Sequence, residues 1–256
     1  MAIGGMNAGQ EIAAARPRVI AALAAQLRDL DLAEDAFAAA VESYLAHAVE
    51  ADNPAGWLFT AAKRKAIDAT RKREAEARAA DQSALTSEMA EILTLADPIP
   101  DQRLRLIFIC CHPALGLEAR TALALKVICG LPVAEIARVF LTSETAMFQR
   151  ITRAKTKIRQ AGIAFELPPR RMWGERLEAV LLTLELAYTT AYQDAGAQRD
   201  GELSAEVGRL AQMLAELLPE EPEILGLSAL VSLARSREPA RVGDNGAMVP
   251  LSQQDT

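Results

Sequence analysis

The chain has 256 residues, 51% of them apolar, and a net charge of −6 at pH 7. That suffices for one or two ordinary cores, while the absence of a run of eighteen apolar residues or a signal-peptide pattern argues against a membrane protein and for a soluble, cytoplasmic one. Three cysteines, two of them adjacent, exclude a disulfide framework, and the abundance of Ala and Leu with few β-branched runs points to an all-α fold.

The first segment, residues 10–78, reads as three helices. Arg18 to Leu27 and Ala33 to Ala48 have the i, i+3, i+4 spacing of amphipathic helices, with Leu30, Asp31 and Leu32 separating them. Asn53 and Pro54 open a third helix, with Pro near its first turn. There Leu58, Ala61, Ala62, Ala66 and Ile67 can face a core. Lys63, Arg64, Lys65, Arg71, Lys72 and Arg73 form two basic clusters, with Trp57 and Phe59 just ahead of them. Rings that stack on bases beside cations that hold a backbone make a single-stranded nucleic-acid site. The same pattern also fits a solvated helix end with two core aromatics.

Residues 79–100 read as a polar, alanine-rich linker closed by Asp97-Pro98-Ile99-Pro100, since prolines at this spacing stop a helix.

The next segment, residues 101–168, concentrates the basic charge. Residues 103–171 hold 12 Lys and Arg against 4 Asp and Glu, a balance of +8, whereas residues 1–102 hold 10 against 16, a balance of −6. Nucleic acid responds to such a local patch rather than to the charge of the whole chain. Leu131 to Gly162 has the plan of a helix-turn-helix. Pro132 sets the entry, and Ile136, Ala137, Phe140 and Leu141 are the apolar positions of the first helix. Thr142 and Ser143 can cap the second. Ser143, Glu144, Thr145, Phe148 and Gln149 lie at or near the start of this helix, the part that meets base edges. Arg150 and Arg153 could reach bases or phosphates. Lys155, Lys157 and Arg159 read as phosphate contacts, which position without specifying. Met147, Ile151 and Ile158 fit the buried stripe, and Phe148 fits either a core or a thymine methyl contact.

Cys110, Cys111 and His112, with Cys129, have the chemistry of zinc ligands. Three consecutive residues point in different directions, however, and the usual C-x₂-C spacing is absent, so the cysteines read as small core residues and no metal is assigned. His47 reads as a surface or satisfied core residue. No catalytic pattern and no phosphate-cradling glycine loop occurs, so neither an enzyme nor a cofactor is expected.

Residues 169–256 read as an acidic helical extension; residues 172–256 hold 6 Lys and Arg against 14 Asp and Glu, a balance of −8. Trp173, Leu177, Val180, Leu181, Leu184 and Tyr188 form one stripe. Leu210, Met213, Leu214, Leu217 and Leu218 form a second, ended by Pro219. Leu225, Leu227, Leu230, Val231 and Leu233 form a third. The opposite charge balances suggest that this extension docks on the basic segment before it.

Two blocks carry a family resemblance. DLDLAEDAFAAAV followed by NPAGWLFTAAKRKAIDATRKRE resembles region 2 of bacterial RNA polymerase sigma factors of the extracytoplasmic-function group, and LPVAEIARVFLTSETAMFQRITRAKTKIRQAG resembles region 4. DQRLRLIFICCHPALGLEARTALALKVICGL and the tail resemble a subgroup with a C-terminal TPR-like helical extension. The resemblance covers nearly the whole chain. It implies two small helical modules that bind DNA and polymerase, followed by that extension. Asp31, Glu34, Asp35 and Phe37 would bind the β′ clamp helices of core RNA polymerase. Ala38 and Ala39 stand where the family often has Gln and Glu. Trp57, Lys63, Arg64, Lys65, Arg71, Lys72 and Arg73 would open the promoter −10 element, with Arg64 where many relatives have Asn. Ser143, Glu144, Thr145, Phe148, Gln149, Arg150, Arg153, Lys155 and Lys157 would read the −35 element, region 4 seated on the β flap. The extension would serve a regulatory protein or intramolecular docking. Two other readings share these features: a sigma-like decoy that binds a partner without initiating, and a stand-alone helix-turn-helix regulator.

Overall fold

The computed structural model describes residues 8–47, 51, 53–80, 102–161, 168–193, 198–241, 243 and 248–254. Every element defined among them is helical. The expected linker at 79–100 falls almost wholly outside these residues.

The first three helices are α1 (Ala8–Leu27), α2 (Leu30–Ala46) and α3 (Pro54–Ala80), each packed on the other two. α1 starts ten residues before the expected Arg18 and runs through Pro17. Proline forfeits one backbone hydrogen bond and crowds the preceding turn; here the buried row Ala15, Val19, Ile20 and Leu23 carries the helix across it. Leu30, Asp31 and Leu32 are not a separator but the first turn of α2. The break is a two-residue corner, with Arg28 at φ 53° and Asp29 as cap, its carboxylate accepting from the Leu32 N–H at 3.0 Å. Asn53 caps α3 in the same way, accepting from the Gly56 N–H at 3.0 Å ahead of Pro54.

α4 (Gln102–Cys110) and α5 (Leu117–Val127) form the centre. Arg103, Leu104 and Leu106 to Cys111 are buried on α4 and just past its end, and Thr121 to Leu125 with Val127 and Ile128 on and after α5. A helix apolar around most of its circumference needs neighbours on several sides. These two have them: α1 on one side, α7 (Glu144–Gln160) against α5, and α8 (Gly174–Gln193) on both. α6 (Val133–Val139) leads into α7. Gly130, at φ 69°, makes the turn before it with Pro17 3.5 Å from where a Cβ would stand.

α8, α9 (Gln198–Leu217) and α10 (Pro222–Ser236) pack on one another, followed by the short α11 (Glu238–Arg241). The expected third stripe is corrected by the structure. Ile224, Leu227 and Val231, spaced i, i+3, i+7, are the buried row of α10, whereas Leu225, Leu230 and Leu233 face outward at 45%, 56% and 69% exposure. The extension joins the rest through apolar and ionic contacts. Trp173 is buried with its ring centroid 5.0 Å from that of Phe108, and its indole N–H donates to the Pro168 carbonyl at 2.8 Å. The buried Arg176 guanidinium donates to the Phe108 carbonyl at 2.7 Å. Glu206 of α9 pairs with Arg103 of α4 and, at 3.7 Å, with Arg18 of α1.

Cys110 and Cys111 are buried beside this centre. Among the described residues no group of three or more His, Cys, Asp or Glu is placed to hold a metal ion. The His112 ring instead accepts from the Ala114 N–H at 3.1 Å in the α4–α5 turn. Burial pushes the Cys111 and Cys129 thiols up to about 12 and Cys110 in the same direction. At pH 8 little of these thiols is then ionised, Cys129 being partly exposed and Cys110 and Cys111 buried. The native protein should react slowly with a thiol–disulfide reagent at pH 8, and all three thiols should react at once in denaturant. A rapid burst from the native protein contradicts this.

Candidate nucleic-acid interface

α7 is the better defined of two candidate surfaces. The Ser143 hydroxyl caps it, accepting from the Ala146 N–H at 3.2 Å. Met147, Ile151, Ala154 and Ile158 bury one face against α5 and α6. Leu141, expected on the buried face of the first helix, is instead 95% exposed at φ 50°. It lies past the end of α6, where the chain needs a left-handed residue to turn, so its side chain leaves the core. Replacing Ser143 with Ala should cost about 1 kcal/mol, read as a lowered Tm; an unchanged Tm contradicts the cap.

The outer face of α7 divides in two. Ser143, Glu144, Thr145, Phe148 and Gln149 are exposed on the first turns, Phe148 at 60%, which resolves its two readings toward the surface. The Arg150 guanidinium is held back, 2.8 Å from the Glu118 carboxylate and 5.9 Å from the Phe140 ring centroid. Arg153 is exposed and donates to the Gln149 carbonyl at 3.2 Å, and Lys157 is exposed. Lys155 turns inward: its ammonium pairs with Glu34, and with Asp31 at 3.4 Å. Arg159 pairs with Asp31 at 2.8 Å. Glu34 also pairs with Arg16 of α1 at 3.1 Å.

Burial pulls the Lys155 ammonium down, but Glu34 and then Asp31 more than offset it, so its pKa lies above the ordinary value of 10.5. A group whose pKa is raised on folding contributes stability fully below its unfolded pKa and loses it as pH rises through the folded one. The contact should therefore hold at full strength through neutral pH and weaken only above about 10.5. Alkaline unfolding of Lys155→Met against the parent checks this; a difference between them that vanishes near pH 8 contradicts it.

The second surface lies on α3. Asn53, Gly56, Trp57, Thr60, Ala61 and Arg64 recur at i, i+3, i+4 spacing and, with Ala51, line an open groove of about 520 Å³. Trp57 is half-buried and stands edge-on to Tyr44, centroids 5.3 Å apart at 64°. Lys63, Arg64, Lys65 and Arg71 are exposed along the helix. Lys72 and Arg73 continue it, their side chains outside the described residues. Phe59 packs against the core. The sequence pattern picked out Trp57 and the cations; it read Asn53 only as the helix start and Ala61 only as a core position, whereas both line the groove, and it missed Gly56 and Thr60, which give no signal until a helix aligns them.

On α2, Asp31 and Glu34 are partly covered by the contacts with α7, Asp35 is exposed, and Phe37 is buried at 5%. Phe37 thus acts through the core and offers no surface in this arrangement.

Residues 105–158, most of α4 through α7, match the family described as Sigma-70, region 4. The helix-turn-helix is therefore similar to sigma region 4. Residues 176–256 match a family of unknown function, DUF6596. An uncharacterised protein of Rhizobium meliloti (strain 1021) is 39% identical over 255 residues, covering 95% of this chain; the chain spans 60% of that relative's length. No solved structure matches the chain. Among the described residues no helix is long and apolar enough to cross a membrane.

Proposed function

We propose that this chain is a sigma factor of the extracytoplasmic-function type with a helical extension. It binds core RNA polymerase, recognises promoter −35 and −10 elements and melts the −10 region; the polymerase performs the chemistry. The observation that carries this reading is the pairing, in one chain, of a capped recognition helix matching sigma region 4 with a separate groove flanked by exposed cations. The first turns of α7 suit base-edge contact in the major groove, with Arg153 and Lys157 on phosphate. The α3 groove admits a nucleobase, with Trp57 as its wall and Lys63, Arg64 and Lys65 on the strand backbone. Holding an extruded base offsets the few kcal/mol of unstacking, so melting needs neither a catalytic residue nor a cofactor of this chain. Asp31, Glu34 and Asp35 supply the acidic face for the β′ clamp helices, region 4 takes the β flap, and the site of action is the cytoplasm.

The test is co-elution of the purified chain with core polymerase. A 1:1 complex that resists moderate salt is expected, and Asp35→Lys should weaken it. A chain that elutes apart from core polymerase at all concentrations overturns the reading in favour of a stand-alone regulator.

A further inference from the structure

The buried row of α10 packs on α9 and α8. The opposite face is uncharged: Ile224 to Ala234 contains only apolar and small residues. A helix face turned to water normally carries charged and polar side chains. Here Leu225, Leu230 and Leu233 are exposed, and nothing lies within 4 Å of where a Cβ on Gly226 would stand. One row along this face has an order of its own. Glu221, Leu225, Ala229, Leu233 and Arg237 recur every four residues and so form a single ridge on the helix surface. An acid stands at its start, a cation at its end, a leucine inside each, and an alanine at the centre. Glu221 is half-buried and the other four are exposed. Arg235, the neighbouring cation, lies inward against Gly208 of α9. The Arg237 guanidinium donates to the Gln254 side chain at 3.1 Å, which sets the turn carrying the exposed Leu251 at the end of the same helix.

We propose that this face of α10 is the contact between two copies of the chain, packed antiparallel about a two-fold axis at Ala229. Turned end for end, the row is its own complement. Leu225 meets Leu233 of the second copy, and Glu221 meets Arg237 of the second copy. At the centre Ala229 faces Ala229, where a small side chain lets the two helices approach. A two-fold interface demands this self-complementarity; a face shaped for an unrelated helix does not. Packing of four-residue rows on four-residue rows is also the commonest helix–helix class, with axes crossing at about 50°. Helix polarity acts in the same direction, since each N-terminal end comes beside a C-terminal one. A parallel pair would instead set acid against acid and cation against cation. A single pair of helices of this length covers less than the roughly 800 Å² per partner of a standard interface, so the dimer is weak and depends on concentration. The contact uses no residue of α2, α3 or α7, so it stands independently of the sigma-factor reading. It joins the two copies through the segment that matches DUF6596.

Sedimentation velocity on the full chain, from about 1 µM to about 1 mM, tests this. The mean mass should rise with concentration from that of one chain toward that of two. Leu225→Glu combined with Leu233→Glu should stay monomeric throughout; both positions are exposed, so its Tm should match the parent's. Glu221→Arg alone and Arg237→Glu alone should each weaken the dimer severalfold. The two reversals together should restore it, because every copy then supplies both reversed ends; neither a parallel pair nor a contact elsewhere on the chain would recover in this way. A parent that keeps the mass of one chain at every concentration overturns the proposal, and the face then belongs to a helix of another segment or protein. So does a dimer that survives the two leucine substitutions, or a double reversal that remains as weak as the single ones.

Discussion

Replacing Trp173 with Ala should cost about 3–5 kcal/mol of stability, the range for removing a buried aromatic from a packed core. Trp173 is 3% exposed, its ring lies against Phe108 of α4, and its N–H is bonded to the Pro168 carbonyl. The substitution leaves a cavity at the joint between the extension and the central helices. It also leaves that carbonyl without its indole donor, and an unpaired buried polar group costs more than the bond was worth. Denaturant unfolding followed by far-UV circular dichroism measures it. A loss under about 1 kcal/mol would mean that α8 is a loosely tethered appendage rather than a wall of the core. Removal of the extension should act in the same direction: without α8, the buried apolar residues of α4 and α5 face water, and a shortened chain ending near residue 171 should aggregate.

The second large effect is expected at the α3 groove. Trp57→Ala should lower affinity for a single-stranded −10 probe by about 1–3 kcal/mol, the worth of one base–aromatic stack, or roughly five- to 150-fold. Lys63, Arg64 and Lys65 changed together to Ala should weaken the same probe in a salt-dependent way, each lost phosphate contact reducing the slope of log K against log salt by about 0.7. Trp57 also touches Tyr44, so its substitution carries some loss of stability; Trp57→Phe keeps a ring and should recover most binding. A duplex −35 probe should be indifferent to all four changes. If Trp57→Ala left single-strand affinity unchanged while the triple variant reduced it, the groove would be a feature of the fold and the basic stripe a general phosphate binder.

The helix-turn-helix was legible because its signals are local: a hydroxyl cap at Ser143, an apolar stripe at Met147, Ile151 and Ile158, and a basic far half. So was the all-α character. Three features were not legible, each for a physical reason. Leu141 looks like a core leucine, but the turn between α6 and α7 needs a left-handed residue there and no glycine marks it. The leucines of α10 look alike in sequence; only the packing of α9 and α8 against Ile224, Leu227 and Val231 decides which row goes inward. The partners of Lys155 and Arg159 lie more than a hundred residues away on α2, so their composition says basic and exposed while the tertiary structure pairs them with acids. Glu206 of the extension pairs with Arg103 of α4, while the cations at the end of α7 are met by α2.

Run-off transcription tests the central claim most directly. Core polymerase from the organism that encodes this chain would be supplied with a pool of that genome's promoters, with and without the purified protein. The account predicts new, discrete transcripts that require the protein, share paired −35 and −10 sequences and disappear with Trp57→Ala. A polymerase that is active with another sigma factor yet yields no new transcript with this chain, although the two bind, would contradict it and leave a sigma-like decoy.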